Sequence, residues 1–199
     1  MATRTIELAS PAEALIANRF LSEPLLNGDI LYEVVGNEIR ELPSMRASNT
    51  QFATDLARLL GNHARGASLG RTQSEMLFLI DPSRNLQRRP DVSYVSFERW
   101  PKGRPVPETP AWAVVPDLAA EIVSPSNEVF EVMEKLEEYF ACGVRRVWVF
   151  YPPFAKVYDY TSTTSVEILT RADRLTGGKV LPEFELPLSE LFESAAAAE

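Results

Sequence analysis

Apolar residues recur at helical spacing in three stretches of the chain, and between them lie short runs of strand-forming residues. Pro11 to Leu21 is the first helical stretch, with Ala14, Leu15, Ile16, Phe20 and Leu21 apolar. Thr50 to His63 is the second. There Phe52, Leu56, Leu59 and Leu60 fall on one face, and Gly61 and Gly66 bracket the end. The third runs from Asn127 to Ala141. Val129, Val132, Met133, Leu136 and Phe140 make its apolar stripe, Glu131, Glu134, Glu137 and Glu138 lie opposite, and Gly143 closes it.

The strand pattern begins with a hairpin, Leu31 to Val35 and Glu38 to Leu42, joined by Gly36-Asn37, a pair suited to a tight turn. Glu75 to Ile80, Pro90 to Val95 and Leu118 to Val123 are the next three expected strands. Proline opens the second of them, where a missing N–H is tolerated. Five prolines and a glycine between Pro101 and Pro116 predict a surface loop. Arg146 to Tyr151, Lys156 to Tyr160 and Ser165 to Leu169 then form a meander, and Leu186 to Phe192 predicts a short docking helix. This order of elements implies an α/β fold, a central mixed sheet flanked by helices. No repeat or composition break divides the 199 residues. The expectation is one domain, with residues 1–28 as an N-terminal helical extension and 194–199 as a loose tail.

Composition narrows the function. No apolar run approaches the ~20 residues of a membrane helix, and the N-terminus lacks the apolar stretch of a secretory signal. One cysteine, Cys142, excludes an internal disulfide and a cysteine-rich zinc site. Together these point to the cytoplasm. One histidine, His63, expected at the surface, leaves little support for a Ser-His-Asp or Cys-His mechanism. A net charge of −8, from 28 acids and 20 bases, means that any nucleic-acid site must be a local basic patch. Arg84, Arg88, Arg89, Arg99, Lys102 and Arg104 cluster in sequence; they are either that patch or a solvated loop.

Two acids sit inside apolar strands. Asp91 shares a strand face with Ser93 and Val95, and Glu121, between Ala120 and Ile122, shares one with Ala119 and Val123. A carboxylate in such a setting is costly to desolvate unless a cation meets it. Were the two strands neighbours, the acids would converge on one hard cation. Magnesium keeps several waters, so two or three protein oxygens suffice. The alternative is two ordinary strand-end acids satisfied by backbone N–H groups or an arginine.

Pro90-Asp91, Glu121 about 30 residues later and then Lys135 on a helix resemble the PD-(D/E)xK nuclease signature. More closely, Arg89-Pro90-Asp91-Val92, Glu121 to Ser126, Lys135 to Tyr139 and Gly143 to Val149 resemble the Uma-two family of restriction-endonuclease-like proteins. The likeness extends from Tyr32-Glu33-Val34-Val35-Gly36 to the Leu-Pro and Leu-Phe pairs near the end. It implies a restriction-endonuclease-like core, a divalent metal (magnesium or manganese) and hydrolysis of DNA phosphodiester bonds. By the same resemblance Asp91 and Glu121 are the metal ligands and Lys135 the catalytic lysine. Glu75 and Gln73 are possible additions to the metal shell, and Tyr139 could orient Lys135. Arg88, Arg89 and Lys102 are candidate nucleic-acid contacts.

The chain departs from the pattern at three places. Val123 stands where the signature has its lysine, so Lys135 is the substitute, leaning from the edge of its helix stripe toward Glu121. Asn49 stands where many relatives have a histidine, which puts catalysis in question, and Tyr151-Pro152 where they tend to have Asp-Pro. Three readings follow: a magnesium-dependent endonuclease, an inactive relative that binds nucleic acid or protein, and a homodimeric interaction protein driven by the aromatic strands from Trp148 to Tyr160. Homodimerisation is compatible with all three.

Overall fold

The computed structural model describes residues 5–7, 30–124 and 129–196, with side chains described from 30 to 193. The helix expected over Pro11–Leu21 lies outside the described residues. Two compact units emerge, one from Met1–Ser44, Leu77–Arg89 and Pro105–Val114, the other from Met45–Met76, Pro90–Arg104 and Val115–Glu199.

The first unit is built on a five-stranded antiparallel sheet in the order β1-β3-β2-β6-β5. Its strands are β1 (Thr5–Glu7), β2 (Tyr32–Val35), β3 (Glu38–Glu41), β5 (Phe78–Asp81) and β6 (Leu86–Arg88). The hairpin between β2 and β3 turns at Gly36, whose φ of +62° is the left-handed conformation glycine adopts at no steric cost. Inside this unit Arg88 is buried and donates to Glu33 at 2.7 Å, across 55 residues of sequence.

The second unit carries a six-stranded sheet in the order β11-β10-β9-β8-β7-β4. It comprises β4 (Gly70–Ser74), β7 (Val92–Ser96), β8 (Leu118–Ile122), β9 (Arg146–Tyr151), β10 (Lys156–Ser162) and β11 (Ser165–Thr170). All neighbours are antiparallel except β8 and β9. The connection between that parallel pair carries the helix α2 (Val129–Ala141). The longest helix among the described residues, α1 (Ala47–Gly66), buries Phe52, Leu56 and Leu60 against Val92, Tyr94, Leu118, Ala120, Ile122, Trp148 and Phe150. A two-stranded ribbon, β12 (Arg174–Thr176) with β13 (Glu185–Pro187), and helix α3 (Leu188–Ala196) join the same core through Leu175, Leu186, Leu191 and Phe192.

Strand alternation assigns the second sheet two different faces. Ala120 and Ile122 of β8 enter the α1 core, so Glu121 points to the other side, where Leu136 and Tyr139 of α2 are buried. The α1 core also contains an ion pair. Arg146 is held by both oxygens of the buried Asp159, which also accepts from Trp148 Nε1 at 3.1 Å.

The structure corrects several expected boundaries. The strand expected over Glu75–Ile80 is divided: β4 ends at Ser74 in one sheet and β5 begins at Phe78 in the other. Glu75 is the break, with a φ of +49° that no strand residue adopts. Strands β4, β6, β12 and β13 were not expected; they are short or polar and make no apolar alternation. His63 is partly exposed near the end of α1, with Nε2 2.8 Å from Pro182 O and its ring edge-on to Phe184. The expected tail from residue 194 is helical through Ala196.

Candidate active site

Strands β7 and β8 pair with Val92 opposite Ala120, a register that sets Asp91 opposite Glu121 at the end of the ladder. Asp91 immediately precedes β7, and its Oδ2 accepts the Ile122 N–H at 2.6 Å. Glu121, only 9% exposed, accepts from two residues one turn apart on α2: Lys135 Nζ at 3.2 Å from Oε2, and Tyr139 OH at 2.7 Å from Oε1. Glu121, Lys135 and Tyr139 form one connected cluster on the sheet face away from α1, and Asp91 lies near enough to feel the charges of Glu121 and Lys135.

The electrostatics follow from this packing. Burial pushes the Asp91 carboxyl up to about 7, and the neighbouring Glu121 charge adds to the rise. The Ile122 N–H and the Lys135 ammonium oppose it, and Glu75 contributes a smaller rise. Two neighbouring carboxylates repel one another, and even with the Lys135 ammonium beside them Asp91 is about half protonated near neutrality.

Glu75 reaches the cluster by an unusual backbone. Its N–H donates to Asp91 O at 3.1 Å, which closes the β4–β7 ladder, while its left-handed φ turns the chain out of the sheet. Non-glycine residues held in that conformation concentrate at functional sites. Gln73 pairs opposite Ser93 farther along β4 and lines a separate cavity beside α1. Val123, at the position where the signature has lysine, donates its N–H to Phe150 O at 2.9 Å and simply extends the strand.

The sequence cluster of basic residues does not form one patch. Arg88 is buried against Glu33 and presents no charge to solvent, so its proposed nucleic-acid contact has no surface to act from. Arg84 pairs with Asp81, and Arg89 lies over the Tyr32 ring and donates to Tyr32 O. Arg99 joins Arg145 around the fully buried Asp117. Lys102 lies over Phe97 and Arg104 over Trp100. The Asp117 cluster was missed in the sequence because its arginines are 18 residues before and 28 after the acid, with no spacing rule to join them.

A family model described as "Putative restriction endonuclease" (Uma2) matches residues 18–189, most of the chain. The chain belongs to this family. Among solved structures, the Uma2 chain is similar to a crystal structure of a "putative nuclease belonging to DUF820" from Anabaena variabilis ATCC 29413. The TM-score is 0.72 at 17% identity, over 82% of this chain and 90% of that one. At that identity the likeness establishes the fold, a nuclease fold with a central mixed sheet. No curated protein matches the Uma2 sequence.

Among the described residues no group of three or more His, Cys, Asp and Glu side chains is placed to hold a metal ion. The donor set is a pair of carboxylates, and its chemistry fits a hard divalent cation that keeps most of its waters. Burial is the main cause of the rise at Asp91, and such a cation would offset both it and the added Glu121 repulsion. No helix among the described residues is long and apolar enough to cross a membrane.

Proposed function

We propose that this chain is a metal-dependent endonuclease that hydrolyses phosphodiester bonds in DNA, with Asp91 and Glu121 holding magnesium or manganese. The observation that carries this reading is the pairing of those two carboxylates on adjacent strands, with Lys135 and Tyr139 gathered on one of them. A divalent cation bound there supplies Lewis-acid polarisation of a phosphate oxygen and a more acidic water.

The protein's own groups do the rest. Tyr139 fixes the orientation of Glu121 through a buried hydrogen bond, so the carboxylate does not reorganise when substrate arrives. Lys135 donates to Glu121 in the free protein and stands ready to offset negative charge developing on a bound phosphate. The fraction of Asp91 that is protonated, about half near neutrality, loses its proton as the site is loaded, so loading becomes more favourable as pH rises through about 7. An inactive relative would be expected to have splayed acids or an arginine clamped on them; Glu121 is met instead by a lysine and a tyrosine. Two-fold pairing of copies, which would bring two sites to the two strands of a duplex, belongs to the same proposal.

The direct test is cleavage of plasmid and single-stranded DNA with magnesium or manganese, comparing the wild type with Asp91→Ala and Glu121→Ala. Metal-dependent nicking absent from both variants is expected. A folded wild type that cleaves with neither metal and binds neither by calorimetry would falsify the nuclease reading.

A further inference from the structure

The strongest unassigned feature is a cavity of about 500 Å³ beside the sheet edge, between α1 and β4. Its lining includes Arg58 and Arg65 from α1, Arg71 from β4 and Lys102 from the loop after β7; among the described residues no carboxylate lines it. In a chain of net charge −8, four cations around one concavity without an acid is a strong local inversion. Asp55, on α1, pairs with Arg58 at 3.4 Å but does not line the cavity.

The walls offer hydrogen-bond donors as well as charge. Strand β4 is the edge of its sheet. Its ladder to β7 is phased by Phe97 N–H to Leu69 O and Glu75 N–H to Asp91 O, so Arg71 and Gln73 pair inward. The backbone N–H of Thr72 therefore faces the open side. Arg71 Nη2 is anchored on Lys102 O and Arg104 O, at 2.8 and 2.9 Å. Arg71 Nη1 and the neighbouring Thr72 Oγ1 are buried and make no hydrogen bond. An orphaned buried donor is costly unless something satisfies it; successive strand residues point to opposite faces, so Thr72 Oγ1 lies on the α1 side and Arg71 on the other. An oxyanion in the cavity accepts from the exposed Arg58 and Arg65 guanidiniums.

We infer that this cavity is a phosphate-binding subsite that holds the backbone of a polynucleotide running along the edge of β4 toward the acid pair. The inference rests on the nuclease reading for what is bound. Its geometric support is continuity: β4 leads from the cavity to Glu75, whose N–H is bonded to Asp91 O. Glu75 is four positions beyond Arg71, about 13 Å at strand rise, which corresponds to about four base-pair steps along the axis of a B-form duplex. A backbone seated in the cavity on the α1 side would cross the β4 edge beside Glu75 and present a phosphodiester a few nucleotides away at the carboxylates on the other face.

The test is fluorescence anisotropy of labelled single-stranded and duplex 20-mers, titrated with the full chain in chelator at several salt concentrations. The wild type is compared with Arg58→Gln/Arg65→Gln, whose sites are exposed helix positions where glutamine keeps helix propensity. The charge-matched control Arg174→Gln/Lys179→Gln alters two exposed residues that do not line the cavity. The expected result is binding about tenfold weaker for the cavity variant, with the slope of log K against log salt flatter by about 1 to 2, and the control near wild type. Equal losses in the cavity variant and the control, or no loss in either, would overturn the subsite. If the wild type binds neither oligonucleotide and inorganic phosphate alone protects it from urea, the polynucleotide assignment falls. If the cavity variant loses oligonucleotide binding while the wild type shows no metal-dependent cleavage, the subsite stands and the nuclease reading is the one refuted.

Discussion

Replacing Asp91 by asparagine should stabilise the protein at alkaline pH. The side chain keeps its shape, and its carbonyl can accept the Ile122 N–H that Oδ2 now accepts at 2.6 Å. What it loses is a charge that the fold resists, since the carboxyl is pushed from 3.8 to about 7 by burial and by Glu121. A folded-state value above the unfolded one means that the folded protein holds the proton more tightly. Stability from this group is therefore complete below about pH 3.8, declines as pH rises and is lost beyond about pH 7. At about 1.4 kcal/mol per pH unit, the wild type gives up about 4 kcal/mol by pH 8.5 and about 1.5 kcal/mol by pH 5. Asparagine gives up neither. The assay is urea unfolding in chelator, followed by the fluorescence of the buried Trp100, Trp112 and Trp148. With a urea dependence of about 2 kcal/mol/M, the variant's midpoint should exceed the wild type's by about 2 M at pH 8.5 and by less than 1 M at pH 5. A variant no more stable than the wild type at pH 8.5, or an advantage that fails to widen with pH, would refute the account of Asp91 as a carboxylate forced against its neighbour.

Three further outcomes are expected. Tyr139→Phe deletes a buried hydrogen bond to a charged acceptor and should cost about 2 kcal/mol in urea unfolding; it should also weaken metal binding measured by calorimetry. Asp159→Ala leaves Arg146 buried without its partner and should cost about 3–5 kcal/mol, read as a large fall in the thermal midpoint. Gly61→Ala should stabilise by about 0.5–1 kcal/mol, because helix propensity rises and the new Cβ would come no nearer to another residue's atoms than 3.8 Å, at Thr72 Cβ; a lower thermal midpoint would show that α1 and β4 are closer than described.

The parts of this molecule that were legible in the sequence are those governed by local periodicity. Phe52, Leu56 and Leu60 announce α1, and Val147 to Phe150 a buried strand. Asp91 and Glu121 were conspicuous because carboxylates rarely stand inside apolar runs. Long-range or conformational features were not legible. Arg88 looked like part of a basic surface because its partner, Glu33, is 55 residues away. Glu75 looked like the start of a strand because a left-handed φ in a non-glycine residue is imposed by tertiary contacts and leaves no pattern. Strand β4, Gly-Arg-Thr-Gln-Ser, has no apolar alternation. Gly70 holds its place through space alone: a Cβ there would lie 2.3 Å from Val95 O. The cavity beside it draws its cations from three separate segments, so no stretch of sequence contains it.

The alternation of β8 has a consequence for the fidelity of the protein. Ala120 and Ile122 are committed to the α1 core, and Glu121 lies between them. A slip of one residue in pairing would drive the carboxylate in among Trp148 and Phe150 and put Ile122 where the acid belongs. The core penalises that error heavily, so molecules that complete their hydrophobic packing have, in the same event, aimed Glu121 correctly. Assembly thus proofreads the chemistry: misaligned copies are the unstable ones and are removed as unfolded chains rather than persisting as compact but inert protein.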